Sequence, residues 1–128
     1  MSAKSKGING ERELIRSFWS LGWAAIRTAG SGSSHYPSPD IVAGKLGRRL
    51  AIECKITAEN KKYFPLDEIN QLVYFAQHFG AEPFVAVKFP KKKWFFFTID
   101  DLKQTTNSFV ISQEDCEIKG IQIEDLVN

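Results

Sequence analysis

Apolar residues recur at helical spacing over residues 9–21, where Leu14, Ile15, Phe18 and Leu21 share one stripe and Gly22 supplies a stop. The period then changes. Trp23-Ala24-Ala25-Ile26-Arg27 reads as a short first strand, and the small, polar run from Thr28 to Tyr36 reads as a loop. Ile41-Val42-Ala43-Gly44 and Leu50-Ala51-Ile52-Glu53-Cys54-Lys55 are rich in strand formers, and the turn chemistry of Lys45-Leu46-Gly47-Arg48 between them predicts a β-hairpin. Helical spacing returns over residues 66–79 through Ile69, Leu72, Val73, Ala76 and Phe79, closed by Gly80. Two more strands, residues 84–89 and 94–98, flank a Pro90-Lys91-Lys92-Lys93 turn.

Aromatic excess refines this picture. Phe95, Phe96 and Phe97 put rings on both faces of the last strand, so both faces need cover. Tyr74, Phe75 and Phe79 widen the second helix stripe past what one sheet face can cover, which fits either ordinary core or a subunit interface. The tail from Asp100 to Asn128 is acidic with scattered Ile, Leu and Val. It predicts a short helix and strand around residues 101–110, then an ordered or loosely attached terminus near residues 121–127.

At 128 residues and 43% apolar, the chain suits one compact domain. It has no run of eighteen apolar residues and no charged-then-apolar leader, so a cytoplasmic protein is expected, with neither membrane insertion nor secretion and with reduced thiols at Cys54 and Cys116. Cys54 should point into the core. The net charge of +2 hides an asymmetry: residues 1–99 carry fifteen Lys and Arg against eight Asp and Glu, and residues 100–128 carry two against seven. The basic part suits a polyanion. Lys4, Lys6, Arg12, Arg27, Lys61, Lys62 and the run Lys91-Lys92-Lys93 are candidate phosphate contacts, although lysine runs are commonly just solvated turns. No element suited to reading bases is present, which fits recognition of shape.

The hairpin carries the candidate chemistry. Side chains alternate along a strand, so Glu53 and Lys55 share a face. With an even-membered loop and Gly44 opposite Arg49, Asp40 lies across from Glu53 with Cβ atoms roughly 5 Å apart; a three-residue loop with a bulge at Gly47 would separate them onto opposite faces. The even loop is expected, since the candidate chemistry requires both carboxylates on one face. Two carboxylates so placed repel one another and favour a hard divalent cation, with Mg²⁺ expected and Mn²⁺ as its substitute. Lys55, one pleat further on, suits orienting a water or stabilising charge on a phosphate. Glu11 and Glu13 sit near the start of the first helix, where either one serves equally to complement the helix dipole. The loop containing Ser31, Ser33 and His35 suits either a phosphate or a flexible connection.

Taken together, these residues resemble the archaeal Holliday junction resolvases of the PD-(D/E)xK nuclease superfamily. The resemblance covers nearly the whole chain, through Glu11-Arg12, Arg27 with Ala29-Gly30-Ser31-Gly32-Ser33, Pro39-Asp40-Ile41-Val42-Ala43, Ile52-Glu53-Cys54-Lys55, Phe75-Ala76 and Val85-Ala86-Val87-Lys88. It implies an α/β, restriction-endonuclease-like fold, a mixed β-sheet flanked by α-helices, in a homodimer with Phe75 and Phe79 at its apolar contacts. It further implies Mg²⁺-dependent nicking of four-way junction DNA to 5′-phosphate and 3′-hydroxyl ends during recombination and repair. Asp40, Glu53 and the helix-borne Glu11 would be the metal-binding carboxylates, Lys55 the catalytic lysine and Ser31 a catalytic loop serine, with Ser33 among the DNA contacts. The segment Ser34-His35-Tyr36-Pro37-Ser38 is longer than in the shortest members. A duplex or mismatch nuclease of the same superfamily and a non-catalytic junction-binding protein are the competing readings.

Overall fold

The computed structural model describes residues 3–28 and 36–128. Helix α1 (Ala3–Ser20) is followed by strands β1 (Ala24–Arg27), β2 (Ile41–Lys45), β3 (Arg48–Ile56) and β4 (Lys61–Pro65). Then come α2 (Leu66–Phe79), β5 (Glu82–Lys88) and β6 (Trp94–Thr98). A 3₁₀ turn (Ile99–Asp101), β7 (Lys103–Gln104), β8 (Ser108–Ser112) and the short helices α3 (Gln113–Ile118) and α4 (Ile123–Leu126) complete it. Five strands form a mixed sheet in the order β1-β2-β3-β5-β6, parallel only between β3 and β5. A second sheet, β4-β8-β7, stands apart.

The alternation of buried residues explains the two layers. Ile52, Cys54 and Phe96 face α1 and pack with Leu14, Phe18 and Trp23; Ala51, Val85 and Phe97 face α2 and pack with Ile69, Leu72 and Phe64. Both faces of the aromatic strand are covered, as its composition requires. Gly80 ends α2 at φ 80, in the left-handed region that favours glycine, and its N–H bonds Ala76 O.

Three expectations are corrected. Helix α1 begins at Ala3, six residues before the predicted start, because its first turns carry too few apolar residues to produce a stripe. Glu11 therefore lies inside the helix rather than in its first turn. The sheet built on β4 was not predicted, since Lys61-Lys62-Tyr63-Phe64-Pro65 buries only Phe64. In the tail, the helix follows the strand: β8 leads into α3, started by a capping box between Ser112 and Asp115. The terminus is ordered, with Ile121 bridged to Phe96 and Leu126 buried.

The hairpin turn is tighter than four residues. Lys45 pairs with Arg48, and Leu46, almost fully exposed, takes the left-handed φ of 51. The residue count stays even, and Gly44 pairs with Arg49 as expected.

Arg48 ties the far end of the sheet to the C-terminus. Its Nε and Nη2 donate to the two Glu82 carboxylate oxygens at 3.0 Å each, and Nη1 donates to Leu126 O at 2.9 Å. Its guanidinium also lies 5.3 Å from the Trp23 ring centroid. The exposed ion pair contributes little alone, so most of the effect comes from the carbonyl and the ring. Arg48→Ala should lower the unfolding free energy by about 1–2 kcal/mol in a urea titration. Arg48→Lys, lacking the planar fork, should recover less than half of that loss.

Candidate active site

Asp40 sits one residue before β2, held from several sides. Its N–H donates to Ile52 O at 3.0 Å, and its carbonyl accepts from Thr28 N at 2.9 Å. Thr28 Oγ1 also donates to the Pro39 carbonyl. Continuing the register from the Ile41–Ile52 pair, Asp40 lies opposite Glu53. Asp40 Oδ2 accepts the Cys54 N–H at 2.8 Å, so the carboxylate is fixed by the β3 main chain while the residue's own backbone is held by Ile52 and Thr28.

Glu53 is 13% exposed at its side chain and hydrogen-bonds to Asp40 and Glu68. Burial, then the Asp40 charge and the bond to Glu68, push its carboxyl up to about 9. Asp40 is raised too, chiefly by burial, against the lowering effect of the Cys54 N–H. The pair therefore retains a proton at neutral pH, a property of the two groups together. Cys54 points to the opposite side of β3 and is buried in the α1 layer, as expected; burial raises its thiol far above the usual range.

Lys55 Nζ lies 4.0 Å from Glu53 Oε2 and 2.9 Å from Glu68 Oε1. Burial opposes its charge, but the contact with Glu68 and the neighbouring Glu53 and Asp40 outweigh that, and its pKa is raised. Glu68 was missed in the sequence. An acidic residue in the first turn of a helix looks like a dipole complement, and only the packing of α2 against β3 shows that it reaches Lys55. Burial raises its pKa, but its bonds to Glu53 and Lys55 prevail and the net shift is downward.

Glu11 and Glu13, equivalent by sequence, separate here. Glu11 points into a cleft of about 770 Å³ that Asp40, Arg27 and Lys55 also line, whereas Glu13 is exposed and pairs with Lys88 at 3.4 Å. Burial and Asp40 raise the Glu11 carboxyl, while Arg27, whose Nε donates to Glu11 Oε1 at 2.9 Å, lowers it. The expected three-carboxylate metal set of Glu11, Asp40 and Glu53 is accordingly not closed. Glu11 engages Arg27, and among the described residues no three Asp, Glu, His or Cys side chains are grouped to hold an ion. The Asp40–Glu53 pair does fit a hard divalent cation. Its donors are carboxylate oxygens, and the charge that makes Glu53 keep a proton is what such a cation would neutralise.

The proposed phosphate contacts divide. Lys6 lines the cleft, Arg12 is exposed on α1, and Arg27 is occupied by Glu11. Lys62 lies near Glu68, whereas Lys61 faces a separate concavity with Tyr63 and Lys103. Ser31, Ser33, His35 and the side chain of Lys4 lie outside the described residues. On α2, Phe75 and Phe79 stack with centroids 5.1 Å apart and Phe79 is 46% exposed, while Tyr74, also exposed, lies against His78. No helix among the described residues is long and apolar enough to cross a membrane.

Comparison with known proteins agrees with this geometry. The profile of the family described as archaeal Holliday junction resolvase (Hjc) matches residues 2–128. The crossover junction endodeoxyribonuclease Hjc of Archaeoglobus fulgidus is 51% identical over 110 residues, covering 86% of this chain and 81% of the relative. The Methanocaldococcus jannaschii protein of the same description is 36% identical over 121 residues, covering 93% and 83%. The solved structure of Archaeoglobus fulgidus Hjc, a Holliday junction resolvase, superposes with a TM-score of 0.90 at 43% identity, over 95% of this chain and all of that one. A register that sets Asp40 against Glu53 with Lys55 alongside, on a mixed sheet matched along its length, leaves no doubt of kinship: this chain belongs to the archaeal Holliday junction resolvase family.

Proposed function

We propose that this chain is a homodimeric, Mg²⁺-dependent endodeoxyribonuclease that resolves four-way DNA junctions by paired, symmetric phosphodiester hydrolysis in recombination and repair. The observation that carries this reading is the convergence of Asp40, Glu53 and Lys55 beside a cleft rimmed by Lys6, Lys88 and Lys91. A four-way junction has approximate two-fold symmetry, which a C2 dimer with two sites matches.

Asp40 and Glu53 would hold the cation, which supplies polarisation of the phosphodiester and acidification of water. The protein's own groups do the rest. Asp40, fixed by the Cys54 N–H, keeps its oxygen in place without reorganisation. Beside a bound cation Glu53 would be held as the carboxylate, its proton passed to solvent. Lys55 stays protonated and presents donors to a phosphate oxygen or an attacking water, and Glu11, steadied by Arg27, adds negative charge at the cleft wall. Ser31 takes the phosphate-contacting role by family likeness.

Lys91 marks one side of the DNA path. Lys92 N–H bonds Phe89 O at 3.1 Å, closing a turn with Pro90 second and Lys91 third, and Lys91 takes the φ of 61 that such a position normally gives to glycine. A strained, exposed lysine at the cleft rim suits a phosphate. Lys91→Gly should raise stability by about 0.5–1 kcal/mol. At the same time it should weaken junction binding severalfold and flatten the log affinity against log salt slope by about 0.9. Opposite signs in the two readouts would exclude damage to the fold as the cause.

The reading is tested by incubating an immobile four-way junction and a linear duplex of matching sequence with Mg²⁺. Nicks in the junction alone, abolished by chelation, are expected. Equal cutting of both would indicate a general nuclease, and tight junction binding with no cutting would indicate an architectural protein.

A further inference from the structure

We infer that Glu68 is a positioning residue for the cleavage reaction, holding the Lys55 ammonium beside the Asp40–Glu53 pair from the opposite element. This rests on the nuclease reading above.

Strand β4 passes into α2 with no intervening loop, at Pro65. Phe64 just before the junction and Ile69 in the first turn are both fully buried, so the start of α2 is anchored on either side of Glu68. From that anchored turn the carboxylate reaches Lys55 Nζ at 2.9 Å and also hydrogen-bonds to Glu53. Lys55 is 4.0 Å from Glu53, so its closer partner is the one on the helix. Lysine has a long, flexible stem and a point charge with no directional fork. Strand position alone leaves that charge free to collapse onto Glu53, where it would compete with a cation for the same oxygens. Glu68 supplies the alternative anchor, 2.9 Å from the ammonium, and the nearby Lys62 charge favours its ionised form.

The competing account is that Glu68 only complements the dipole of α2, whose N-cap residue, Pro65, offers no side-chain cap. Asp67 separates the two. It lies in the same first turn, but its carboxylate faces solvent and accepts from Gln71 Nε2 at 2.9 Å. Glu68→Gln and Asp67→Asn each remove one first-turn charge, and only the first touches Lys55.

Single-turnover junction cleavage with Mg²⁺, junction affinity and thermal melting are measured for wild type, Glu68→Gln, Glu68→Asp and Asp67→Asn. Glu68→Gln should cut about ten- to a hundredfold more slowly, with junction affinity within about twofold of wild type. Asp67→Asn should cut at the wild-type rate, and Glu68→Asp, which keeps the charge, should recover part of the loss. Wild-type cutting by Glu68→Gln, or equal losses in Glu68→Gln and Asp67→Asn, would overturn the role of Glu68. Should Glu68→Gln melt far below Asp67→Asn, Glu68→Asp decides: partial activity in a folded protein supports the role, and none overturns it. Failure of the wild type itself to cut would remove the nuclease reading instead, so the two failures are distinguishable.

Discussion

Glu53→Gln is expected to slow junction cleavage by on the order of a thousandfold or more while making the metal-free protein more stable, by about 1–2 kcal/mol. Both effects have one cause. Glu53 is buried beside Asp40 and Glu68, in surroundings that favour its neutral form. Glutamine keeps the shape and can still donate to Glu68, but it cannot take up the negative charge that a divalent cation requires. The pH dependence follows. The Glu53 carboxyl lies above its unfolded value of 4.5, at about 9, so between those limits the folded state holds a proton that the unfolded state has lost. The stability linked to that proton is fully present below about 4.5 and disappears as pH rises through about 9. Glu11 and Asp40, also raised, act in the same direction. Calorimetry without metal should therefore show the wild-type Tm falling from pH 5 to pH 9, and Glu53→Gln should show a shallower fall. An equally steep profile in the variant would place the retained proton elsewhere.

Phe79→Asp is expected to raise the dissociation constant of the proposed homodimer at least about a hundredfold, read by sedimentation equilibrium. Phe79 is half exposed although it stacks on Phe75, and Tyr74 extends the apolar surface of α2. Burying such a surface against a second copy would drive association, and a carboxylate at its centre would have to be desolvated without a partner. Since Phe79 lies at the C-terminal end of α2 and Glu68 at its start, the separated protomer should keep its site intact and give unpaired nicks. A sedimentation profile unchanged from wild type would contradict the proposed interface on α2.

What the sequence disclosed depended on periodicity and local chemistry. The hairpin was legible because turn chemistry and strand alternation are local, but they left an even and a three-residue loop open, and only the requirement that both carboxylates share a face chose the register that sets Asp40 against Glu53. The extent of α1 was not legible, because residues 3–8 carry too few apolar side chains to leave a stripe. Strand β4 and its sheet were hidden for the same reason: pairing with β8, about fifty residues later, gives no signal near Lys61. At the site, Asp40, Glu53 and Lys55 were readable as a motif, whereas Glu68 belongs to it only through the packing of two elements. Glu11 was told from Glu13 by family likeness alone; the physical reason, that one faces the cleft and the other faces Lys88, appears only in three dimensions.

The most direct test of the account uses a supercoiled plasmid carrying an inverted repeat that extrudes as a cruciform, incubated with the protein and Mg²⁺. A single nick relaxes the plasmid and the cruciform is reabsorbed, so linear product requires two cuts within the lifetime of one complex. The account predicts linear molecules cut symmetrically at the repeat, none with Glu53→Gln and none from a plasmid lacking the repeat. Nicked circles alone, or linearisation of the control plasmid, would contradict it.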